Sequence, residues 1–323
     1  MSGGMTRALR TAMMGKNMNM KNRTIAVIVL TLAFFSVAES RAIAQTNLLE
    51  QVVELGLPKL DGRITTYYSS GAEARARKLQ AAFTDMNAFF EQQLGIRAEA
   101  TLAVLNSNDW SRVDVYPYGL GHVDGDPLVI FMPATSGGLA FHFMMRRKDA
   151  IPADLLSAYL ETNHTTFEAV ADDFVDCTGF HEVGHILSRR YGIDPKCNWL
   201  NEFVASYFDY AFIAERRPAL KKVFDLLGRP SKIRPKHTTL TDFERLYMDV
   251  DDPGWYHGMF ERHIQELYPK MGIQFLKELH NRFPAADPEK ENPTHNPVSP
   301  EEVVSQLEKF APGFESWAKG FQN

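Results

Sequence analysis

The chain has 323 residues, enough for one large domain or two lobes around a sizeable core. Apolar residues make up 45% and charged residues 23%, which excludes a disordered or fibrous chain. A formal net charge of -5 argues against a nucleic-acid binder with a broad basic face, and 2 cysteines are too few for a disulfide framework or a four-cysteine zinc site.

The first 44 residues read as an address. Residues 1–23 carry Arg7, Arg10, Lys16, Lys21 and Arg23 and no acid, residues 24–38 are uncharged and largely apolar, and Ala42-Ile43-Ala44 follows. This order of basic, apolar and small-residue regions predicts a secretory signal peptide cut after Ala44. The apolar run is shorter than the roughly 20 residues a spanning helix needs, so no stable membrane insertion is expected after cleavage. Cleavage removes six basic residues and one acid and leaves 279 residues with a net charge of -10, in a secreted or periplasmic protein.

Residues 45–150 mix strand and helix signals. Strands are expected over 63–69, 98–105 and 128–132, and a helix over 72–93, free of Gly and Pro and followed by Gly95. Residues 107–127, with Pro-Tyr-Gly and Asp-Gly-Asp, read as a long loop or a set of turns. The strand at 128–132 suits either an edge that pairs with an extended peptide or a central position. From Pro152 onward the pattern is helical over 152–161, 165–191, 199–215, 218–227, 240–248, 255–271, 273–282 and 299–310, with a proline-rich connector at 284–300. The fold class is α+β: a small mixed lobe, 45–150, then a helical lobe, 151–323, the two forming one catalytic unit.

His181-Glu182-Val183-Gly184-His185 is an H-E-x-x-H sequence inside a helical stretch. Residues four apart lie roughly 40° apart around a helix, so both imidazoles reach one metal ion. Glu182 is placed to hold and deprotonate a water at that metal. Phe180, Val183, Ile186 and Leu187 form an apolar arc, which turns the histidines toward a cleft; two polar surface histidines are the plainer alternative. Downstream, Leu200, Phe203, Val204, Tyr207, Phe208 and Ala211 make a buried stripe with Glu202 on the opposite face. That face is either solvated or, if the helix folds back after Gly192 and Pro195, the source of a third ligand. Two histidines and a glutamate leave the fourth position open, as a catalytic zinc requires.

On these residues the chain resembles the gluzincin zinc metallopeptidases, the thermolysin and aminopeptidase-N group, over about residues 177–215. Trp199-Leu200-Asn201-Glu202 with Ala205-Ser206-Tyr207 is similar to the W-L-N-E-G-F-A-S segment of the aminopeptidase-N branch. The resemblance implies one Zn2+ per chain held by His181, His185 and Glu202, with Glu182 as general base. It departs in three places. Only 16 residues separate His185 from Glu202, Phe203 replaces a glycine, and the G-x-M-E-N segment that grips a substrate amino terminus is absent. The metal site is implied; aminopeptidase specificity is not. Gluzincins of this branch add a tyrosine from a later helix to stabilise the oxyanion. Asp252-Pro253-Gly254-Trp255-Tyr256-His257 opens such a helix, so Tyr256 is the catalytic candidate and His257 the second. Tyr256 also shares an apolar stripe with Phe260, Leu267 and Met271 and reads equally as core.

Asp209, on the same helical face as Glu202, is a candidate acceptor for a ligand histidine's free N–H, or a solvated acid. Cys177 and Cys197 flank the two ligand helices as either a disulfide or two free thiols. The expected function is a secreted zinc metallohydrolase, in the first place a peptidase acting on peptides or proteins, with no nucleic-acid partner and the oligomeric state open. The alternatives are a non-catalytic zinc-containing binding protein of the same fold and a zinc hydrolase of a non-peptide substrate. An intact Glu182 counts against the first; ligand spacing does not separate the second.

Overall fold

Residues 47–321 are described by a computed structural model, apart from 115, 230, 233, 248, 249, 251 and 286–297. The expected signal segment and most of the proline-rich connector lie outside the described residues.

Helix α1 (Leu48–Glu54) precedes strands β1 (Lys59–Leu60) and β2 (Thr66–Tyr68). Helix α2 (Glu73–Leu94) runs without an interruption until Gly95, which takes φ 71° and returns its N–H to the Glu91 carbonyl. A glycine adopts this left-handed stop without a Cβ clash. Strand β3 (Thr101–Leu105), helix α3 (Ser107–Val113), β4 (His122–Asp124) and β5 (Val129–Pro133) follow. The five strands lie in the order β1-β2-β3-β5-β4. The inner strands β2, β3 and β5 are parallel, in the register Thr66↔Leu102 and Ala103↔Phe131, and β1 and β4 add antiparallel edges.

Side-chain alternation explains why the inner strands are apolar on both faces. Leu102, Val104, Ile130 and Met132 point into the main core, where they meet α2 residues such as Phe83. Ala103, Leu105, Val129 and Phe131 point the other way, onto Val52, Trp110 and Val113. Of the two positions open to the segment at 128–132, the structure takes the interior one: β5 is buried along its length and β4 is the edge. The stretch 107–127 is more than turns. It holds α3, whose first N–H groups are capped by the Asn106 side chain, and the three-residue β4.

Helix α4 (Leu139–Arg147), unmarked by any sequence signal, leads into the helical half: α5 (Ala153–Thr162), α6 (Phe167–Arg190), α7 (Asn198–Arg216), α8 (Lys221–Leu227), α9 (Leu240–Leu246), α10 (Pro253–Met271), α11 (Gln274–Arg282), α12 (Pro300–Glu308) and α13 (Phe314–Lys319). The α+β class holds. Beyond Pro152, the only β pairing among the described residues is one isolated bridge, Ile193↔Pro284. Helix α7 is buried on nearly every side from Trp199 to Ile213, so it is the axis of the helical half.

Glycines seat α6 against the sheet. A Cβ on Gly179 would lie 2.6 Å from Met132 Sδ and 2.8 Å from Phe83 Cζ. Gly121, just before β4, donates its N–H to Thr178 Oγ1 at 3.2 Å. The edge strand is therefore tied to the helix that carries the H-E-x-x-H residues. No helix among the described residues is long and apolar enough to cross a membrane.

Candidate metal centre

His181 and His185 project from one side of α6 with ring centroids 4.9 Å apart and planes at 88°. Phe180, Val183, Ile186 and Leu187 are buried on the other side, as the apolar arc requires. Glu202 comes from α7. Its Oε2 lies 3.1 Å from His181 Nε2 and 3.6 Å from His185 Nε2. One donor atom from each of the three residues lies within 4.8 Å of the other two. Glu202 is thus not on a solvated face: its side chain is 7% exposed, against 17% and 20% for the two histidines.

Burial acts to raise the Glu202 carboxyl, but the His185 and His181 imidazoles outweigh it and hold the group well below the usual carboxylate range. An ionised, enclosed carboxylate facing two partly exposed imidazoles is a donor set that could hold a metal ion.

Comparisons with protein-family models, curated proteins and solved structures find no match to this chain.

The groups around the centre differ in part from those expected. Ser206, one turn beyond Glu202 on α7, has its Oγ 3.2 Å from His181 Nδ1. With Nδ1 engaged there, Nε2 is the nitrogen turned toward Glu202. Ser206 thereby occupies the place expected of Asp209. Asp209 lies deeper, buried, with Oδ1 unpartnered among the described residues. Burial, and then the neighbouring Glu261, push its carboxyl well above the usual range.

Glu182 sits beside the ligands, half-buried. Burial raises its carboxyl, partly offset by His185, His181 and His122. His122, on the edge strand β4, acts on Glu182 through its charge and not by contact; no motif in the sequence marks it. Its Nε2 meets Asp114 Oδ2 at 2.5 Å and its Nδ1 meets the Leu120 carbonyl at 3.1 Å. Two acceptors for two ring nitrogens call for a doubly protonated ring. Although burial opposes the charge, the Asp114 bond and charge raise the imidazole above its ordinary value.

Tyr256 is placed in the core, with no accessible surface. Its hydroxyl donates to the Thr239 carbonyl at 3.0 Å, and its ring packs on Phe243 at 4.9 Å and Phe321 at 5.9 Å. The next residue, His257, is the one on α10 that faces the centre, with its ring 5.7 Å from that of His181. Burial lowers it to about 4, so it is neutral at pH 7. A tyrosine does reach the cluster, but it is Tyr247, at the end of α9, whose hydroxyl donates to Glu202 Oε1 at 2.6 Å. The sequence places it inside the helix expected over 240–248, but the helix stops at Leu246 and Tyr247 leaves it at φ 45°. Cys177 and Cys197 are both buried and both free, so no disulfide ties α6 to α7.

Proposed function

We propose that this chain is an exported zinc-dependent metallohydrolase, and specifically a peptidase, released after Ala44. The observation that carries the reading is the convergence of His181, His185 and Glu202 donor atoms within 4.8 Å of one another, with Glu182 beside them. Zinc held by these three residues supplies Lewis acidity, polarising a carbonyl and acidifying water.

The chain's own residues supply the rest. Glu182 accepts the proton of the attacking water and passes it to the leaving amine, and its raised proton affinity brings it nearer the working pH. His257, neutral and beside His181, is the N–H donor for the developing oxyanion, because the Tyr256 hydroxyl is spent on Thr239. The short edge strand β4, anchored to α6 through Gly121 and Thr178, offers main-chain groups to an extended peptide. A protein that merely binds zinc has no need of a carboxylate at Glu182, which favours turnover over binding alone.

The test is zinc content and cleavage of an unbiased peptide library by the exported protein, beside Glu182→Gln. The expected outcome is one zinc per chain in both, with cleavage lowered about 10²–10⁴-fold in the variant. Zinc in both with cleavage by neither points to a non-peptide substrate or a binding protein, and a folded parent without zinc ends the reading.

A further inference from the structure

Tyr247 caps the end of α9 at φ 45° and ψ -99°, on the side of backbone space that bulky residues avoid. Such a conformation persists where the surrounding structure imposes it. Here the imposed position brings the side chain to the centre. The ring lies edge-on to Phe243, with centroids 5.6 Å apart, and the phenol reaches into the centre and donates to Glu202 Oε1 at 2.6 Å. A phenol has one proton to give, and Glu202 receives it.

The two Glu202 oxygens are therefore divided. Oε1 is bound by Tyr247, while Oε2 lies 3.1 Å from His181 Nε2 and 3.6 Å from His185 Nε2. A carboxylate that ligates through one oxygen completes a three-residue set and leaves the fourth position free. One that swings to ligate through both would crowd that position. We infer that Tyr247 is a positioning residue: it holds Glu202 as a one-oxygen ligand and so keeps the substrate's coordination position open. This rests on the zinc reading above.

Tyr247→Phe removes a single oxygen and leaves the ring against Phe243. The readouts are zinc affinity by chelator competition, the visible spectrum of the cobalt(II)-substituted protein, and melting of the metal-free protein. The expected result is zinc held about 10- to 100-fold more weakly, the range for loss of a group that orients a metal ligand. The cobalt bands should lose intensity as the site passes from four ligands to five. In a Glu202→Gln background the same substitution should cause no further loss of affinity.

Should the metal-free variant melt markedly lower, the cobalt spectrum of its folded fraction decides, because destabilisation alone leaves that spectrum unchanged. A variant with the parent's affinity and spectrum overturns the inference and leaves the zinc reading intact. A parent that takes up no zinc overturns both.

Discussion

Gly184 of α6 lies against Ala205 of α7 so closely that a Cβ on it would fall 2.5 Å from the Ala205 carbonyl oxygen and 3.0 Å from its Cα. The obstacle is backbone, which cannot turn aside as a flexible side chain does. This contact immediately precedes His185 on one helix and lies one turn from Glu202 on the other. It brings imidazole and carboxylate within reach of a shared ion. Gly184→Ala should cost about 1–3 kcal/mol of stability through overpacking. Zinc retention should fall with it, as the helices part. Denaturant melts and zinc content after dialysis check both; a variant unchanged in each would show that another contact sets the helix spacing.

Ser206→Ala should weaken zinc binding about tenfold, since the Oγ 3.2 Å from His181 Nδ1 fixes which ring nitrogen faces Glu202. Competition with a chelator measures it. The metal-free protein should lose stability as well, by about 1–3 kcal/mol, because the buried Oγ also bonds Glu261.

Asp209 gives the fold a pH dependence. Its native carboxyl, raised by burial and by Glu261, stays neutral where the unfolded chain's carboxyl ionises. Its contribution to stability is full below the unfolded value and is lost as pH rises toward the native one. Asp209→Asn should therefore melt like the parent at about pH 4 and higher by about 2–6 °C at about pH 8. A constant difference across that range would contradict the assignment.

The two thiols should be silent in the folded protein. Both are buried, and burial raises both above the usual thiol range. A thiol reagent added to native protein should react with neither, and added to unreduced, denatured protein should count two per chain. A count of zero after denaturation would indicate a bond between Cys177 and Cys197.

Much of this architecture is legible in the amino-acid order, because long helices declare themselves. Residues 165–191 and 199–215 were expected as helices and form α6 and α7 within two residues at each end. The same periodicity that placed Phe180 and Val183 inside left His181 and His185 outside. What escapes has no period. β4 is three residues among turns, so His122 is invisible as a strand residue whose charge is felt at Glu182. Tyr247 owes its place to a positive φ at a helix end that no glycine announces. Tyr256 and His257 are neighbours on one helix, and helical phase decides between them: the stripe shared with Phe260 and Leu267 draws Tyr256 inward and leaves its neighbour turned to the ligands.

All three candidate ligands belong to two helices that touch along their backbones, between Phe167 and Arg216. Their mutual distances are thus internal to one hairpin. The sheet packs on α6, and α9 and α10 bring Tyr247 and His257 up to the ligands. On the proposed zinc reading the spacing of the three ligands is set inside the α6–α7 hairpin, whereas the orientation of Glu202 is set from α9 through Tyr247. A shift of α9 would therefore alter how the metal is held, while a shift of the sheet would leave the ligand spacing as it is.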